Sequence, residues 1–370
     1  MNHAEKVRLR ENRELARLCK KRDKRVYWGY AVVLFILVCL IHVVDEVTTD
    51  IRGFLQSSVV NEFFVIGRGM TFNEGLASIS SLSVISLALL FVNPFYATLA
   101  DRFGRKIFLV INTLGMTVGL LLGFLSYNYA IYVLGVVIST FFCSHDMQVT
   151  YIMEVAPADK RAKYYGITKC IGTLGLFIVP LFRDLFIGND ATQWRLVFLI
   201  PAIISGIVCL LAVIGARETP TFLHRRIEYL EKPVEQRAAE AIRNKASKKA
   251  STKESGIAAG WKYIMSHKDI RWSMIASCIG TFAIMAMSSY YESIMSTNGM
   301  STEDVTTALY FYPFIFAAVL AVNGFIGDKF GRKPTITVMS VIAIVGFILF
   351  VISSKSGWSP YLVGIFYGLY

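Results

Sequence analysis

The 370-residue sequence contains no Gly-x-x-x-x-Gly-Lys-Ser/Thr phosphate loop, no His-Glu-x-x-His pair and no Gly-x-Ser-x-Gly elbow. ATP-driven pumping, zinc hydrolysis and serine-hydrolase chemistry within this chain therefore lack their reactive groups. No enzyme activity, resident cofactor or metal site is expected. Cysteine is sparse: Cys19, Cys39, Cys143, Cys170, Cys209 and Cys278. None are spaced Cys-x-x-Cys and five lie in apolar stretches, so they read as small apolar fillers rather than ligands or disulfides. Charge is scarce too, at 17% of residues, against about 25% in an ordinary soluble domain.

Apolar residues take their place. They make up 55% of the chain, the mean hydropathy is +0.52, and they are gathered in blocks. Ten blocks are legible: Tyr27–Val47, Leu76–Ala100, Ile107–Ser126, Tyr129–Met153, Tyr164–Ile187, Trp194–Ala216, Trp272–Met295, Val305–Ile326, Ile336–Ser353 and Tyr361–Tyr370. Most have the roughly 20 residues that cross a bilayer as helix. Lipid offers backbone groups no partner, so helix is the form such blocks must take. The expectation is an all-α integral membrane protein of about ten spans. Block one is preceded by too long a charged leader for a cleaved signal peptide and reads as a retained helix.

The net charge of +12 is not spread as a nucleic-acid surface would spread it. About 32 of the 38 Lys and Arg lie in the tail before block one and in the segments after blocks two, four, six and eight. That alternation predicts a cytoplasmic N-terminus and a basic tail, solvated and near anionic headgroups. A multi-pass protein of the cell membrane is expected, with the bilayer as its partner, no nucleic acid, and a monomeric state.

The chain also repeats itself. Asp101-Arg-Phe-Gly-Arg-Lys106 follows block two, and Asp328-Lys-Phe-Gly-Arg-Lys333 follows block eight, 227 residues later. Such an offset marks a duplicated architecture. Gly324-x-x-x-Asp328-Lys-x-Gly331-Arg332-Lys333 resembles the loop signature of the major facilitator superfamily in full, and the first copy departs from it at Ala97. Glu154-Val-Ala-Pro157-Ala-Asp-Lys-Arg161 and Arg217-Glu218-Thr219-Pro220 resemble motifs of that family's sugar-porter and metabolite:proton symporter branch. The resemblance implies two pseudo-symmetric six-helix bundles that rock about a central site. It divides the chain into a basic tail (1–26), an N-terminal bundle (27–216), an inter-bundle loop (217–271) and the start of a C-terminal bundle (272–370). Carried forward by the repeat offset, a twelfth span would end near residue 443, so the fold is expected to continue past Tyr370. Gly166, Gly175 and Val179-Pro180 match the antiporter signature of span five only in part, which counts against drug antiport.

The resemblance also gives roles to residues. Asp101, Arg105, Glu154, Arg161, Gly324, Asp328 and Arg332 are the expected cytoplasmic gate; read without it, they are turn residues and inner-face charges. Ionisable groups inside a span are costly and usually line a cavity. Three places qualify. Asp45 and Glu46 in block one are the family's position for a coupling proton, or else an outer vestibule pair in water. The arginine that partners this acid in sugar porters falls on Leu134. His145 and Asp146 in block four are a candidate proton relay, or a satisfied polar pair, with Gln148 beside them. Lys169 in block five needs an anion, either Asp146 or a substrate, unless it snorkels. In block seven Tyr290 and Tyr291 stand where sugar porters carry a Tyr-Tyr pair, but the amides that precede it are replaced by Thr281, Phe282 and Met287. The expected function is secondary transport of a small polar or anionic metabolite (a sugar or an organic acid) with protons. The alternative is a non-transporting fragment or a membrane sensor.

Overall fold

The computed structural model describes residues 3–22, 28–90, 92, 96, 99–100, 102–156, 161–187, 191–233, 236, 257–288 and 290–370. Asp101 lies outside them, as do the side chains of Gly324, Asp328 and Arg332. Among the described residues every regular element is a helix, as backbone satisfaction in lipid requires. Seven helices are long and apolar enough to cross a membrane: Tyr30–Phe54, Arg105–Phe124, Tyr129–Val155, Lys163–Ile187, Gln193–Gly215, Thr302–Asn323 and Lys333–Lys355. These correspond to seven of the ten expected blocks. Block two is described only in part, as two short helices, Phe72–Ser80 and Leu82–Leu90, and block ten as Pro360–Leu369. Block seven is split between helices Lys268–Ser288 and Tyr291–Thr297.

The chain forms two compact units. The first joins residues 1–26 to 220–288. In it, helix α1 (His3–Arg22) packs on a helix that begins at Pro220 and ends at Glu231. Leu18 is buried with Leu223, Ile227 and Leu230, and Arg226 Nε donates to Glu14 Oε1 at 2.9 Å. The basic tail is therefore a helix docked through Leu18, with most of its other described side chains exposed. This unit also takes the first helix of block seven, so it runs beyond the expected inter-bundle loop.

The second unit, residues 27–219 with 289–370, holds the remaining spans. Its longest first-half element is α2 (Trp28–Phe54), and it has two apolar cores. One gathers Leu34, Leu37, Val38, Ile41 and Val44 of α2 with Phe108, Leu109, Tyr151, Val208 and Ala212, all first-half residues. The other gathers Val47, Ile51 and Phe54 with Leu176, Val179 and Trp194, and with Tyr291, Leu309, Tyr312, Phe350, Val363 and Tyr367 of the second half. The two halves thus share a core beside the last two turns of α2.

Spans three and four touch where glycine permits it. A Cβ on Gly115 would lie 2.0 Å from Phe142 Cδ2, and one on Gly119 2.1 Å from Ser139 Oγ. Gly115→Val should destabilise the protein by about 1–3 kcal/mol through overpacking, read as a lower thermal midpoint in detergent. Gly166→Ala, whose Cβ meets nothing within 4 Å, should not lower the midpoint and, inside a helix, should raise it slightly. Gly104 (φ 113°) and Gly331 (φ 91°) both adopt positive φ just before helices Arg105–Phe124 and Arg332–Lys355. The repeat in sequence is a repeat in backbone geometry.

Candidate functional site

The middle of α2 carries a run of polar side chains: His42, Asp45, Glu46 and Asp50. Three of these, His42, Glu46 and Asp50, recur every four residues and so share one face. Two broken spans close on them. Span four is not one helix. It runs as α7 (Tyr129–Cys143), stops at Ser144–Asp146, and resumes as α8 (Met147–Val155). Asp146 is left-handed (φ 39°, ψ 42°), the single non-glycine among the described residues with positive φ. Strain of this kind persists where surrounding structure enforces it, and such places cluster at functional sites. Span five is interrupted likewise after α9 (Arg161–Gly175), continuing as α10 (Ile178–Ile187).

Gln148, the second residue of α8, bridges the carboxylates. Its Nε2 donates to Asp45 Oδ2 at 2.9 Å and to Asp146 Oδ1 at 3.3 Å. Asp45 is only 6% exposed, so it lies within the bundle and not in an open vestibule. Leu134, the position where sugar porters carry arginine, is half exposed, and a neutral amide from the next helix takes over as Asp45's span-four partner. Lys169 on α9 pairs with Glu46, not with Asp146. His42 Nε2 stands 3.4 Å from the same Glu46 oxygen, and its ring packs against Gly172 of α9. Of the carboxyl groups in this cluster, Glu46 is the one held in an ion pair, whereas Asp45, Asp146 and Asp50 accept hydrogen bonds from neutral side chains. His145 turns away from the carboxylates: its Nδ1 meets Phe141 O at 2.6 Å and its ring packs at a tilt against Tyr96.

The second-half candidates sit apart. Tyr290 Oη donates to Ser80 Oγ at 2.6 Å. Tyr291 is buried in an aromatic cluster with Phe54, Tyr312 and Tyr367. Tyr312 Oη in turn reaches Asp50 Oδ2 at 3.4 Å, tying that cluster to the polar face of α2.

A separate charged network surrounds the first loop motif. Arg105 Nε donates to Glu154 Oε1 at 2.9 Å, and Thr219 Oγ1 donates to Glu154 Oε2 at 2.6 Å. Glu218 Oε1 accepts from the backbone N–H groups of Arg105 (2.7 Å) and Lys106 (3.1 Å). A carboxylate here meets the orphan donors and positive dipole end of helix Arg105–Phe124. Glu218 and Thr219 belong to the Arg217–Pro220 motif, which the sequence marked only as a family signature. Arg161 Nε instead donates to Ala156 O at 3.2 Å.

Two further ion pairs were not expected from the sequence. Arg195 and Trp194 both bond Glu62. Arg183 and Glu292 pair at 3.0 Å, both buried. Arg183 sits near a span end, where an arginine is ordinary, and its partner is 109 residues away, so periodicity carried no signal for it.

A bundle of apolar helices, duplicated loop geometry and a polar cluster enclosed by broken spans are the marks of a multi-pass membrane protein. The family profile described as Major Facilitator Superfamily matches residues 26–370; the chain belongs to that superfamily. Among solved structures it is similar to the D-xylose-proton symporter, with a TM-score of 0.67, 17% identity, and coverage of 92% of this chain and 79% of that one. A bacterial homologue of the human lysosomal transporter Spinster superimposes with a TM-score of 0.58 at 15% identity, covering 93% of this chain and 74% of that one. At these identities the likeness is one of fold. In sequence, the class H tetracycline resistance protein of Pasteurella multocida is 25% identical over 187 residues, 50% of this chain. That match spans less than half of the relative's own length, 44%.

Proposed function

We propose that this protein is a secondary active transporter that carries a small polar or anionic metabolite, a sugar or an organic acid, together with protons by alternating access. One observation carries the reading: Asp45, Glu46, Gln148, Asp146 and Lys169, from three spans, converge at an interrupted helix inside the bundle. Intramembrane groups of this kind mark ion and substrate paths. In this reading Asp45 takes the coupling proton, with Gln148 holding the carboxyl group in place. Glu46 already balances Lys169 within the protein. An anionic solute then competes with Glu46 for the ammonium group, whereas a neutral one binds beside the pair. Arg105 and its carboxylate partners form the gate at the end carrying the basic loops, which the charge bias assigns to the cytoplasm. The chain is expected to act as a monomer in the cell membrane.

The test is a solute screen in proteoliposomes with an internal pH indicator. A sugar or organic acid added outside should acidify the interior, and a protonophore should abolish its accumulation. Solute uptake with no linked proton movement would sink the coupling; no uptake of any solute would sink the transport reading. The likeness to a tetracycline resistance protein supports a second reading, export of a compound of that kind against protons. The same indicator separates them, because antiport moves protons opposite to the solute.

A further inference from the structure

The polar contacts between the two halves are not spread evenly along the bundle. Tyr30, near the start of α2, bonds Gly215 O at 3.0 Å, beside the Glu218–Arg105 network. Phe54, at the other end of α2, is 24 residues on, about 36 Å along a helix. Four hydrogen bonds that join side chains of opposite halves lie toward the Phe54 end. Tyr312 reaches Asp50, Tyr290 reaches Ser80, Ser57 reaches Ser296, and Arg183 reaches Glu292.

Arg183 and Glu292 are the centre of these contacts. Arg183 is 3% exposed and Glu292 0%. Glu292 Oε1 accepts from Arg183 Nη2 at 3.0 Å, and Oε2 accepts from the Ser57 backbone N–H at 2.9 Å. Arg183 Nε donates to Thr306 Oγ1 at 3.1 Å, and Nη1 donates to Phe54 O. First-half α10, α2 and the Gln56–Val60 helix are thereby fastened to the second-half helices Tyr291–Thr297 and Thr302–Phe330.

We infer that Arg183 and Glu292 form a charged lock that closes this end of the bundle, and that breaking it is the step that opens that end. The inference rests on the alternating-access reading. Its physical basis is the cost of the alternative. An apolar pair of the same size would hold the halves together at least as well, but opening would then expose greasy surface to water. A charge pair regains hydration when water enters, so it can be strong when closed and inexpensive to open. It also switches between two discrete arrangements, as a gate requires.

Hydrogen–deuterium exchange on the full chain in lipid nanodiscs tests this without a known substrate. Arg183→Met leaves Glu292 buried and uncompensated, so the closed state should lose on the order of a hundredfold in population. Exchange should accelerate in 54–60 and 291–298 and, as the opposite end closes, slow in 102–108 and 213–219. Glu292→Gln keeps the side-chain shape and the Ser57 bond and should shift both ends the same way by less; it carries the test if Arg183→Met does not fold. The double variant Arg183→Met with Glu292→Met should protect 54–60 at least as well as wild type. Acceleration at both ends together, or at the Phe54 end with the Arg105 end unchanged, would make the pair a structural contact and overturn the lock. Proton flux is not read in this experiment. A chain that transports but moves both ends together loses only the lock, whereas opposed movement without transport loses only the functional reading.

Discussion

Lys169→Met should lose transport and about 3–5 kcal/mol of stability, because it strands the Glu46 carboxylate inside the bundle. Glu46 lies against Lys169 and His42, and its side chain is largely sequestered. Neither neighbour that would remain, the His42 ring or the apolar α9 face, replaces a full positive charge. Glu46→Gln combined with Lys169→Met should recover most of the lost stability, since a buried neutral amide costs far less to desolvate than a stranded carboxylate. The difference between the double variant and the sum of the single ones is the coupling energy of the pair. Transport should stay lost in the double variant. Thermal denaturation in detergent reads the first effect and solute-driven proton flux the second. Recovery of transport along with stability would make the pair a packing element rather than part of the site.

Asp45→Asn should separate movement of solute from movement of protons. The substitution keeps the side-chain shape and a hydrogen bond to Gln148 while removing the group that binds the proton. Accumulation against a gradient should vanish, and exchange of labelled for unlabelled solute across the membrane should persist. Gln148→Leu removes the 2.9 Å donor and leaves a buried acceptor without it, at a cost of about 1–3 kcal/mol. It should lower accumulation without abolishing it. If Asp45→Asn still concentrates solute with a normal proton ratio, the coupling proton is carried elsewhere, and Asp50, on the adjacent turn and bonded to Tyr312, becomes the group to test.

Much of the architecture was legible because lipid permits so few backbone forms. Block lengths reported helices, and the repeat at Asp101 and Asp328 reported the duplication, which reappears as matched positive φ at Gly104 and Gly331. The polar residues of the site were legible as charges out of place. Their partnerships were not. Helical spacing tells which residues share a face but not which helix packs against it, so the sequence leaves Lys169 between Asp146, a substrate anion and snorkelling, whereas Glu46 holds it. The break in span four left no mark either: Ser144-His-Asp146 contains neither glycine nor proline, and the left-handed Asp146 is a product of tertiary packing. The docking of α1 was hidden for a similar reason. Leu15 and Leu18 are too few among charges to announce a buried stripe, and their partners lie beyond residue 219.

The central claim is that the interior charges face water between the two halves and not acyl chains. Lys169→Cys probes it directly, since the Lys169 side chain is 31% exposed and a thiol reacts as the thiolate, which needs water. Purified protein in liposomes, treated with a membrane-impermeant maleimide, should label at residue 169 well above the wild-type background. Val33→Cys, on the outward face of α2 at 58% exposure, should not. Labelling at Val33 that equals or exceeds labelling at residue 169 would contradict the account.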